Sequence, residues 1–306
     1  MPEPDSIDRS ALIGIATCTG GWASDEDAPL LCDALRRSGA SPVAAIWDDP
    51  AVDWSQFALV VVRSTWDYHR RRTEFVRWAR QVESATRLFN PADVIAWNTD
   101  KRYLAELAAD GIPIVSTRFL EPGDGDDATL VVAELIERWT DVVVKPAVSA
   151  GSWDTSRFDT ATPDAAVRHA EALLAAGRTT MVQPYVSDID TAGETGLVYF
   201  DGTFSHAFRK DPLLPDAGAA SVDGLFSPES VSRRAPSEPE LAIGAAVLGS
   251  VRRRFGQDLL YARVDLVPGP DGRPQLLELE LTEPSFFLVT EPTAADRAAA
   301  SIVDRL

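Results

Sequence analysis

Cysteine and long apolar runs are scarce in this 306-residue chain, and their scarcity excludes several classes of protein. The two cysteines, Cys18 and Cys32, form neither a CxxC nor a Cys/His pattern, so nothing in the sequence supports a zinc site. Two cysteines do not make a disulfide framework in so long a chain, which favours a reducing compartment. No stretch approaches the ~20 apolar residues of a membrane-spanning helix, and residues 1–10 lack the pattern of a secretory signal. We therefore expect a cytoplasmic protein.

Basic residues are outnumbered, since 29 Lys and Arg against 47 Asp and Glu give a formal charge of −18. Such a surface repels phosphate backbones and anionic lipids, so neither nucleic acid nor a membrane is an expected partner. ATP is not excluded, because a divalent cation and a few placed Lys or Arg residues reverse the local field. The apolar content of 45% is ordinary for a globular protein, and the length predicts two or three core-bearing units.

The first third of the chain alternates predicted strands and helices. We expect Asp27 to cap a helix that Gly39 ends, and apolar residues at helical spacing from Phe75 to Val82 predict a second helix. This rhythm predicts a parallel sheet covered by helices, an α/β unit assigned to residues 1–95. The predicted strands are residues 12–16, 42–47 and 59–63.

The second unit, residues 96–182, is predicted to begin with a helix that Asp100 caps and Gly111 ends. Further helices at 131–139 and 164–176 and strands at 142–145 and 181–183 follow. The third unit, residues 183–306, is predicted to be α+β, with hairpins around Asp201-Gly202 and around residues 269–272, because Asp-Gly suits the positive φ angles of a tight turn. The stretch 212–239, rich in Pro, Ser, Asp and Ala, predicts a loop that could act as a lid.

Three carboxylates are predicted to share one face of the last hairpin. Glu278 and Glu280 alternate with leucines, so the two-residue period of a strand places both on one face, and Asp265 on the partner strand could face the same way. Such carboxylates repel one another unless a cation lies between them, and hard oxygen ligands select Mg²⁺ or Mn²⁺. The alternative is the exposed polar face of an amphipathic hairpin, and the pattern alone does not decide between the two.

Lysine is rare in the chain, which makes the positions of Lys101 and Lys145 informative. Lys101 stands at a predicted helix start, and Lys145 ends an apolar strand beside a loop of small residues, 149–152, whose backbone N–H groups could meet a phosphate. With Gly151 as its only glycine this loop is not a Walker motif, and a lysine that extends from a strand end into solvent is the alternative.

Two further segments offer polar groups to a nucleotide. Residues 183–186 leave an apolar strand for a linker that could present backbone groups to a purine, while Asp188 or Asp190 takes the ribose; a plain interdomain linker is the alternative. In the next hairpin, Glu194, His206 and Lys210 lie with Arg209 near one end, where a phosphate contact is plausible.

The end of the third predicted strand is a candidate substrate site. In open α/β sheets ligands bind at the carboxyl ends of the strands, and Arg63, Ser64 and Thr65 lie there, with Thr17 at the end of the first strand. A charge that closes an apolar run requires an anionic partner. For Trp66 and Tyr68, packing under a loop is the alternative interpretation.

Taken in order, these segments resemble the ATP-grasp superfamily of carboxylate ligases, which includes glutathione synthetase and D-alanine–D-alanine ligase. The order is a βαβ unit, two spaced lysines, an adenine linker and an acidic hairpin, and the resemblance spans residues 11 to about 288. It implies an ATP-grasp fold, in which two subdomains clasp ATP behind an N-terminal βαβ domain. Within the superfamily the chain looks most similar to the O-ureido-serine cyclo-ligases of D-cycloserine biosynthesis. The stretches that carry this likeness are residues 47–49, 63–68, 193–194, 205–207 and 263–265, with Phe75, Trp78 and Lys210.

The resemblance implies roles for individual residues in binding ATP, holding Mg²⁺ or Mn²⁺, neutralising the transferred phosphoryl group and binding a small amino-acid-like carboxylate. The implied ATP set is Lys101, Lys145, Gly151, Ser152, Gln183, Tyr185, Val186, Asp188, Asp190 and Glu194; the metal set is Asp265, Glu278 and Glu280; the catalytic set is Arg263, Lys210 and Arg63; and the substrate set is Thr17, Arg63, Ser64, Thr65 and His206. Two departures from the wider pattern are the Glu at 280, where many members have Asn, and an adenine linker without its usual Glu.

The expected function is therefore an ATP-dependent ligase that activates a carboxylate as an acyl phosphate, which an amine then attacks, in the same molecule or in another. A kinase that releases a phosphorylated product and a non-catalytic nucleotide-binding subunit are the alternatives. The acid, the nucleophile and the oligomeric state, a homo-oligomer included, stay open at the level of sequence.

Overall fold

Within residues 11–125, 127–212 and 230–306, which the computed structural model of the protein describes, the strands form three sheets. One sheet is parallel and two are antiparallel, so the expected change from α/β to α+β along the chain is confirmed. No helix in this described part of the chain combines the length and the apolar character that crossing a lipid bilayer requires. Residues 1–10, where no secretory signal was expected, lie outside the described residues.

The first sheet is parallel, as the alternation of strands and helices predicted. Its elements are β1 (Leu12–Thr17), α1 (Gly21–Ser24), α2 (Asp27–Arg37), β2 (Ser41–Ile46), β3 (Leu59–Val62), α3 (Arg72–Ala85) and β4 (Arg87–Phe89). The strand order is β2-β1-β3-β4. β1 and β3 are buried throughout, because α2 packs on one face of the sheet and α3 on the other. β4 was not predicted, since three residues are too few to show a period.

The second sheet is antiparallel and carries two helices on one core. The elements from the end of β4 onward are α4 (Ala92–Asn98), α5 (Tyr103–Ala109), β5 (Arg118–Leu120), α6 (Ala128–Trp139), β6 (Asp141–Pro146), β7 (Ser156–Asp159), α7 (Pro163–Ala175) and β8 (Thr180–Pro184). The strand order is β5-β8-β6-β7, and α6 and α7 bury their apolar sides against it. Asp100 does not cap α5: it accepts a hydrogen bond from the backbone N–H of Arg102 at 3.1 Å, and the helix begins at Tyr103.

The third sheet contains both predicted hairpins. Its part of the chain comprises α8 (Ile189–Ala192), β9 (Glu194–Phe200), β10 (Thr203–Lys210), β11 (Val231–Arg233), α9 (Glu238–Phe255), β12 (Tyr261–Pro268), β13 (Pro274–Glu280) and α10 (Ala294–Val303). The strand order is β11-β10-β9-β12-β13. Asp201 and Gly202 have the positive φ angles, 49° and 70°, that the first hairpin turn was expected to need.

The loop predicted over residues 212–239 is wrong at its C-terminal end, where β11 and the start of α9 lie. A capping box begins α9: the Ser237 hydroxyl accepts from the Glu240 N–H, and the Glu240 carboxylate accepts from the Ser237 N–H at 2.7 Å. The Ser-x-x-Glu spacing was the signal in the sequence. Residues 213–229, the remainder of the predicted lid, lie outside the described residues.

Side chains from the linking helices complete the free edge of β13, which would otherwise expose unpaired backbone groups. Tyr103 donates to the Leu279 carbonyl and accepts from the Leu279 N–H, each at 2.9 Å. Asn98 donates to the same carbonyl at 2.8 Å and accepts from the Leu281 N–H at 2.7 Å. The strand that carries Glu278 and Glu280 is therefore fixed along both of its edges.

Asp27 has a structural role that the sequence did not indicate. It is the first residue of α2 and does not cap that helix. Its carboxylate instead accepts hydrogen bonds from the backbone N–H groups of Phe286, Phe287 and Leu288, at 2.6, 3.1 and 2.7 Å. The segment that follows β13 is thus tied to the first sheet through one buried carboxylate.

Arg63 is the cation that makes this buried carboxylate tolerable. Its guanidinium lies 3.2 Å from Asp25 and 3.2 Å from Asp27, and all three side chains are at most 5% exposed. It also donates to the Pro284 carbonyl at 2.5 Å and lies over the Phe286 ring, 4.2 Å from its centroid. We call Arg63, Asp25 and Asp27 with the segment 284–288 the buried clamp.

Replacing Arg63 with methionine should lower the free energy of unfolding by about 3–5 kcal/mol, because two buried carboxylates would lose their cation. The measurement is denaturant unfolding, with Arg36→Met as a matched control, since the Arg36–Asp33 pair is exposed on α2 and should contribute less than about 1 kcal/mol. Equal losses in the two variants would mean that the clamp does not stabilise the fold.

Candidate active site

Two cavities adjoin each other, and their linings combine residues from the segments that form each of the three sheets. The first spans about 970 Å³ and the second about 740 Å³, counting space open to solvent. Their shared wall consists of Lys145, Ser152, Thr155, Lys210 and Glu278. A long ligand could therefore occupy both cavities at once.

Every lysine of the chain lines the first cavity. The sequence contains three lysines, Lys101, Lys145 and Lys210, and all of them line the first cavity. In a protein with a formal charge of −18, this placement concentrates positive charge in one concave site, as an anionic ligand requires. Lys101, Lys145 and Lys210 thus border one cavity, while the expected contact of Lys101 and Lys145 with ATP phosphates stays a prediction.

The acidic hairpin has the geometry that its alternation predicted. In the β12–β13 register, Asp265 opposes Glu278 and Arg263 opposes Glu280. Leu279 between the two glutamates is buried in the core. Glu278 and Glu280 line the first cavity, and Asp265 lines the second beside Glu278.

Each of these carboxylates has a basic side chain beside it. Arg263 lies 2.7 Å from Asp265 and also contacts Glu280, and Lys101 lies 3.0 Å from Glu278. Across the described residues, no three His, Cys, Asp or Glu side chains are grouped as a ready metal site. The assignment of Asp265, Glu278 and Glu280 to a metal therefore stays a prediction.

The electrostatics of the three carboxylates nevertheless fit a cation. Burial raises the pKa of Glu280 well above its usual value, and the neighbouring Asp265 and Glu278 add to that rise while Arg263 opposes it. Burial also acts to raise the pKa of Glu278, but Lys101 and Lys145 outweigh it and the pKa is lowered. A divalent cation among these oxygens would relieve the repulsion at Glu280, so the donor set suits Mg²⁺ or Mn²⁺.

Lys145 carries the opposite perturbation. Burial lowers its pKa to about 8, and the nearby Lys101 and Lys210 lower it further while Glu278 and Glu194 oppose them. Bound phosphates would favour the charged form of this amine. The Lys101 ammonium donates a hydrogen bond to the Ser149 carbonyl at 2.8 Å. This bond ties Lys101 to the loop that follows β6, the strand that carries Lys145.

That loop brings backbone close to the lysines, as predicted. Gly151 and Ser152 both have positive φ angles, 57° and 60°, and both line the first cavity. The backbone of this turn therefore borders the cavity, where its N–H groups could meet phosphate oxygens.

The second cavity contains most of the predicted adenine linker. Gln183, Tyr185, Val186 and Glu194 all line it. The Arg157 guanidinium covers the Tyr185 ring, 3.4 Å from its centroid. Asp188 and Asp190 are not in the lining of this cavity; Asp190 accepts a hydrogen bond from the Tyr185 hydroxyl instead.

The predicted substrate residues do not line either cavity, and this corrects the sequence analysis. Arg63 was expected to bind an external anion, but Asp25 and Asp27 occupy its guanidinium. Thr17 and Ser64 bond to each other through their hydroxyls at 2.8 Å, and Thr65 is fully buried. Their positions at strand ends were predicted correctly, but other segments of the same chain bury these strand ends.

His206 also has a structural position. Its Nε2–H donates to the Phe286 carbonyl at 2.8 Å, and the Ser205 hydroxyl lies 2.9 Å from Nδ1. Burial lowers the pKa of His206. The imidazole thus supports the same segment that Asp27 holds, and it is not in the lining of either cavity.

Glu283 is a cavity residue that the sequence analysis missed. It lies three residues beyond Glu280 and lines the first cavity. Burial raises its pKa to about 7, although Lys101 and Arg263 oppose the rise. Because β13 ends at Glu280, the alternation that predicted the other acids does not extend to Glu283. Trp66 and Tyr68 line the same cavity.

Comparison with known proteins gives a consistent result. Residues 13–90 match the sequence profile of the N-terminal domain of D-cycloserine synthetase DcsG. The chain is 38% identical over 300 residues to the cycloserine biosynthesis protein DcsG of Streptomyces lavendulae, covering 96% of this chain and 99% of that protein. The crystal structure of D-cycloserine synthetase DcsG superposes with a TM-score of 0.88 at 37% identity, covering 96% of this chain and 99% of that one.

A more distant likeness concerns the fold alone. The D-alanine–D-alanine ligase of Bacillus anthracis, solved in complex with ATP, superposes with a TM-score of 0.65 at 16% identity. The match covers 96% of this chain and 95% of that ligase. The ATP-grasp fold expected from the order of motifs is confirmed.

ATP affinity should fall as pH rises above about 8. The pKa of Lys145 is lowered to about 8, so the amine is charged below that pH and loses its proton above it. Bound phosphate should raise this pKa, so ATP binding takes up a proton in this range and affinity drops by up to about tenfold per pH unit. Calorimetry in buffers of different ionisation enthalpy measures the proton uptake. Lys145→Met is the matched control, and an unchanged pH dependence in that variant would contradict the assignment.

Glu278→Gln should abolish turnover and reduce the thermal stabilisation that ATP with Mg²⁺ produces, because a charged metal ligand is lost. Glu280→Asn is the matched comparison, since Asn stands at this position in many ATP-grasp proteins, and it should retain turnover to within about tenfold. Normal ADP production by the Glu278 variant would remove it from the metal site.

Proposed function

The chain belongs to the DcsG, or D-cycloserine synthetase, family of ATP-grasp ligases, and from this membership we propose that it forms a C–N bond by phosphorylating a substrate carboxylate with ATP. The observation that carries the proposal is the convergence of all three lysines on one cavity together with the acidic hairpin. A ligase of this fold uses ATP with a divalent metal. The choice of Mg²⁺ or Mn²⁺, the residue roles and the intermediate are part of the proposal.

The two cavities divide the nucleotide between them. Adenine occupies the second cavity against Gln183, Tyr185 and Val186, and the triphosphate extends along the shared wall to the lysines. The loop that contains Gly151 and Ser152 covers the phosphates. Asp188 and Asp190 lie outside the lining of the second cavity, so either one would bind the ribose from outside that lining. Glu194, which lies 3.0 Å from Lys210, is the alternative acid on that side.

Asp265, Glu278 and Glu280 would hold the metal, which when bound neutralises the phosphate oxygens. Arg263 would release part of its contact with Asp265 and Glu280 to meet the transferred phosphoryl group. Such a transfer depends chiefly on positioning and charge neutralisation. No side chain needs to form a covalent bond to the substrate.

The nucleophile completes the reaction. Transfer of the γ-phosphoryl group to the carboxylate gives an acyl phosphate and ADP; attack of nitrogen on the acyl carbon forms the C–N bond, and inorganic phosphate leaves as the nitrogen loses its proton. We propose that the nitrogen belongs to the same molecule, so that the product is cyclic, as the product of the DcsG relatives is. A single acceptor cavity suits this, because an oriented intramolecular reaction reaches effective molarities of about 10⁵ M or more.

We also propose that the chain functions in the cytoplasm and divides near residues 95 and 182 into a βαβ domain and two ATP-clasping parts. The three sheets support this division. The core shows one departure from it, because α5 shares a core with the third sheet, and Met181 of β8 joins the same core.

The test is product analysis with O-ureido-D-serine and ATP as the sole substrates. We expect ADP and inorganic phosphate in equal amounts and a cyclic product by mass spectrometry. Added hydroxylamine should trap the acyl phosphate as a hydroxamate. ADP without free phosphate would indicate a kinase, and product only after a second amine is added would indicate an intermolecular ligase; each outcome contradicts the proposal.

A further inference from the structure

We propose that Glu283, with Trp66 and Tyr68, forms a subsite that binds a protonated amino group of the substrate. The inference rests on the proposed function and assigns recognition of the substrate's amino group to particular residues of this chain. The sequence analysis assigned no role to Glu283 and left Trp66 and Tyr68 open between a ligand site and packing under a loop.

The location of the subsite separates it from the nucleotide. Trp66, Tyr68 and Glu283 line the first cavity and are absent from the lining of the second. The second cavity takes adenine in the proposed function, so these residues lie in the part of the first cavity beyond the triphosphate. A substrate carboxylate that receives the γ-phosphoryl group must lie in this part too.

The charges at the site favour a cationic ligand at Glu283. Four other acids already have a cation beside them: Asp265 and Glu280 have Arg263, Glu278 has Lys101 and Glu194 has Lys210. When ATP and its metal bind, the lysines and Arg263 turn to phosphate oxygens. Glu283 then needs a cation that neither the nucleotide nor the protein supplies.

The surroundings of Glu283 suit an ammonium group. When ionised, the Glu283 carboxylate offers about four acceptor positions to a donor in the first cavity. The rings of Trp66 and Tyr68 border the same space, and aromatic faces attract ammonium groups. Burial raises the pKa of Glu283 to about 7, and a bound ammonium would lower that pKa because it favours the ionised carboxylate.

Both halves of the subsite are rigidly held. The residues on either side of Glu283 are fixed through their carbonyls: Thr282 accepts from the Tyr261 hydroxyl at 2.8 Å, and Pro284 accepts from Arg63 at 2.5 Å. On the opposite side, the Tyr68 ring stacks on Phe75 at 5.3 Å. A binding site is selective when its groups are held in place before the ligand arrives.

The experiment compares two ligands that differ only in the amino group, O-ureido-D-serine and 3-(ureidooxy)propanoic acid. Binding is measured by calorimetry in the presence of AMPPNP and Mg²⁺, so turnover is not required. The wild type should bind the amino compound about ten- to a hundredfold more tightly, as expected for a charge-assisted hydrogen bond. In Glu283→Gln this preference should fall to within about threefold, with the affinity for the amino-free acid unchanged.

Control variants separate the subsite from its neighbours. Tyr68→Phe keeps the ring and removes the hydroxyl, which donates to the Ser149 carbonyl at 3.5 Å, so it should weaken binding of the amino compound by only a few-fold. Glu106→Gln removes an exposed acid paired with Arg254 and should change neither ligand. AMPPNP affinity should be unchanged in every variant, which also shows that each one is folded.

Five results would overturn the inference. For Glu283→Gln, they are an equal loss of affinity for both ligands, no loss of affinity for either ligand, or a loss of AMPPNP affinity. The last of these would place Glu283 at the metal. Wild-type protein that binds both ligands equally would exclude the ammonium contact while leaving the ligase proposal intact. Wild-type protein that binds neither and produces no ADP would instead contradict the proposed function, and the subsite with it.

Discussion

The rest of the structure depends on the buried ion pair between Arg63 and Asp27. A guanidinium at the end of an apolar strand is unfavourable unless a carboxylate meets it, and here the carboxylate comes from the start of α2. Asp27 in turn binds three consecutive backbone N–H groups after β13. Because the same guanidinium also holds the Pro284 carbonyl, the first sheet determines where the segment that carries Glu283 lies.

The cavity contains a carboxylate and an amine whose charged forms are both disfavoured. Burial raises the pKa of Glu280 and lowers the pKa of Lys145, so each charged form is disfavoured while the site holds only its own side chains. A cation would correct the first perturbation and an anion the second. Binding of a nucleotide and of its metal should therefore be mutually favourable, since each ligand stabilises the ionisation state that the other needs.

The sequence predicted those parts of the site that follow a strand period or a strand end. The alternation of Glu278 and Glu280 and the position of Lys145 needed only local rules, and the structure confirms their placement. The reasoning about Arg63 was half right: it required an anionic partner, but that partner is Asp27, 36 residues earlier in the chain, and no local pattern connects the two. Glu283 was missed for a related reason, because it follows the end of β13 and tertiary contacts alone direct it into the cavity.

The corrected role of Arg63 also changes where substrate specificity can arise. A pocket built around Arg63 would have bound the substrate carboxylate through residues of the first sheet alone. In the structure the first sheet contributes aromatic rings, through Trp66 and Tyr68, while the carboxylate that faces them belongs to the segment after β13. Neither part makes an ammonium subsite by itself, and the buried clamp is what brings them together. Selection of the substrate and stability of the interface between the two sheets therefore depend on the same contacts, so substitutions in the clamp should affect both properties together.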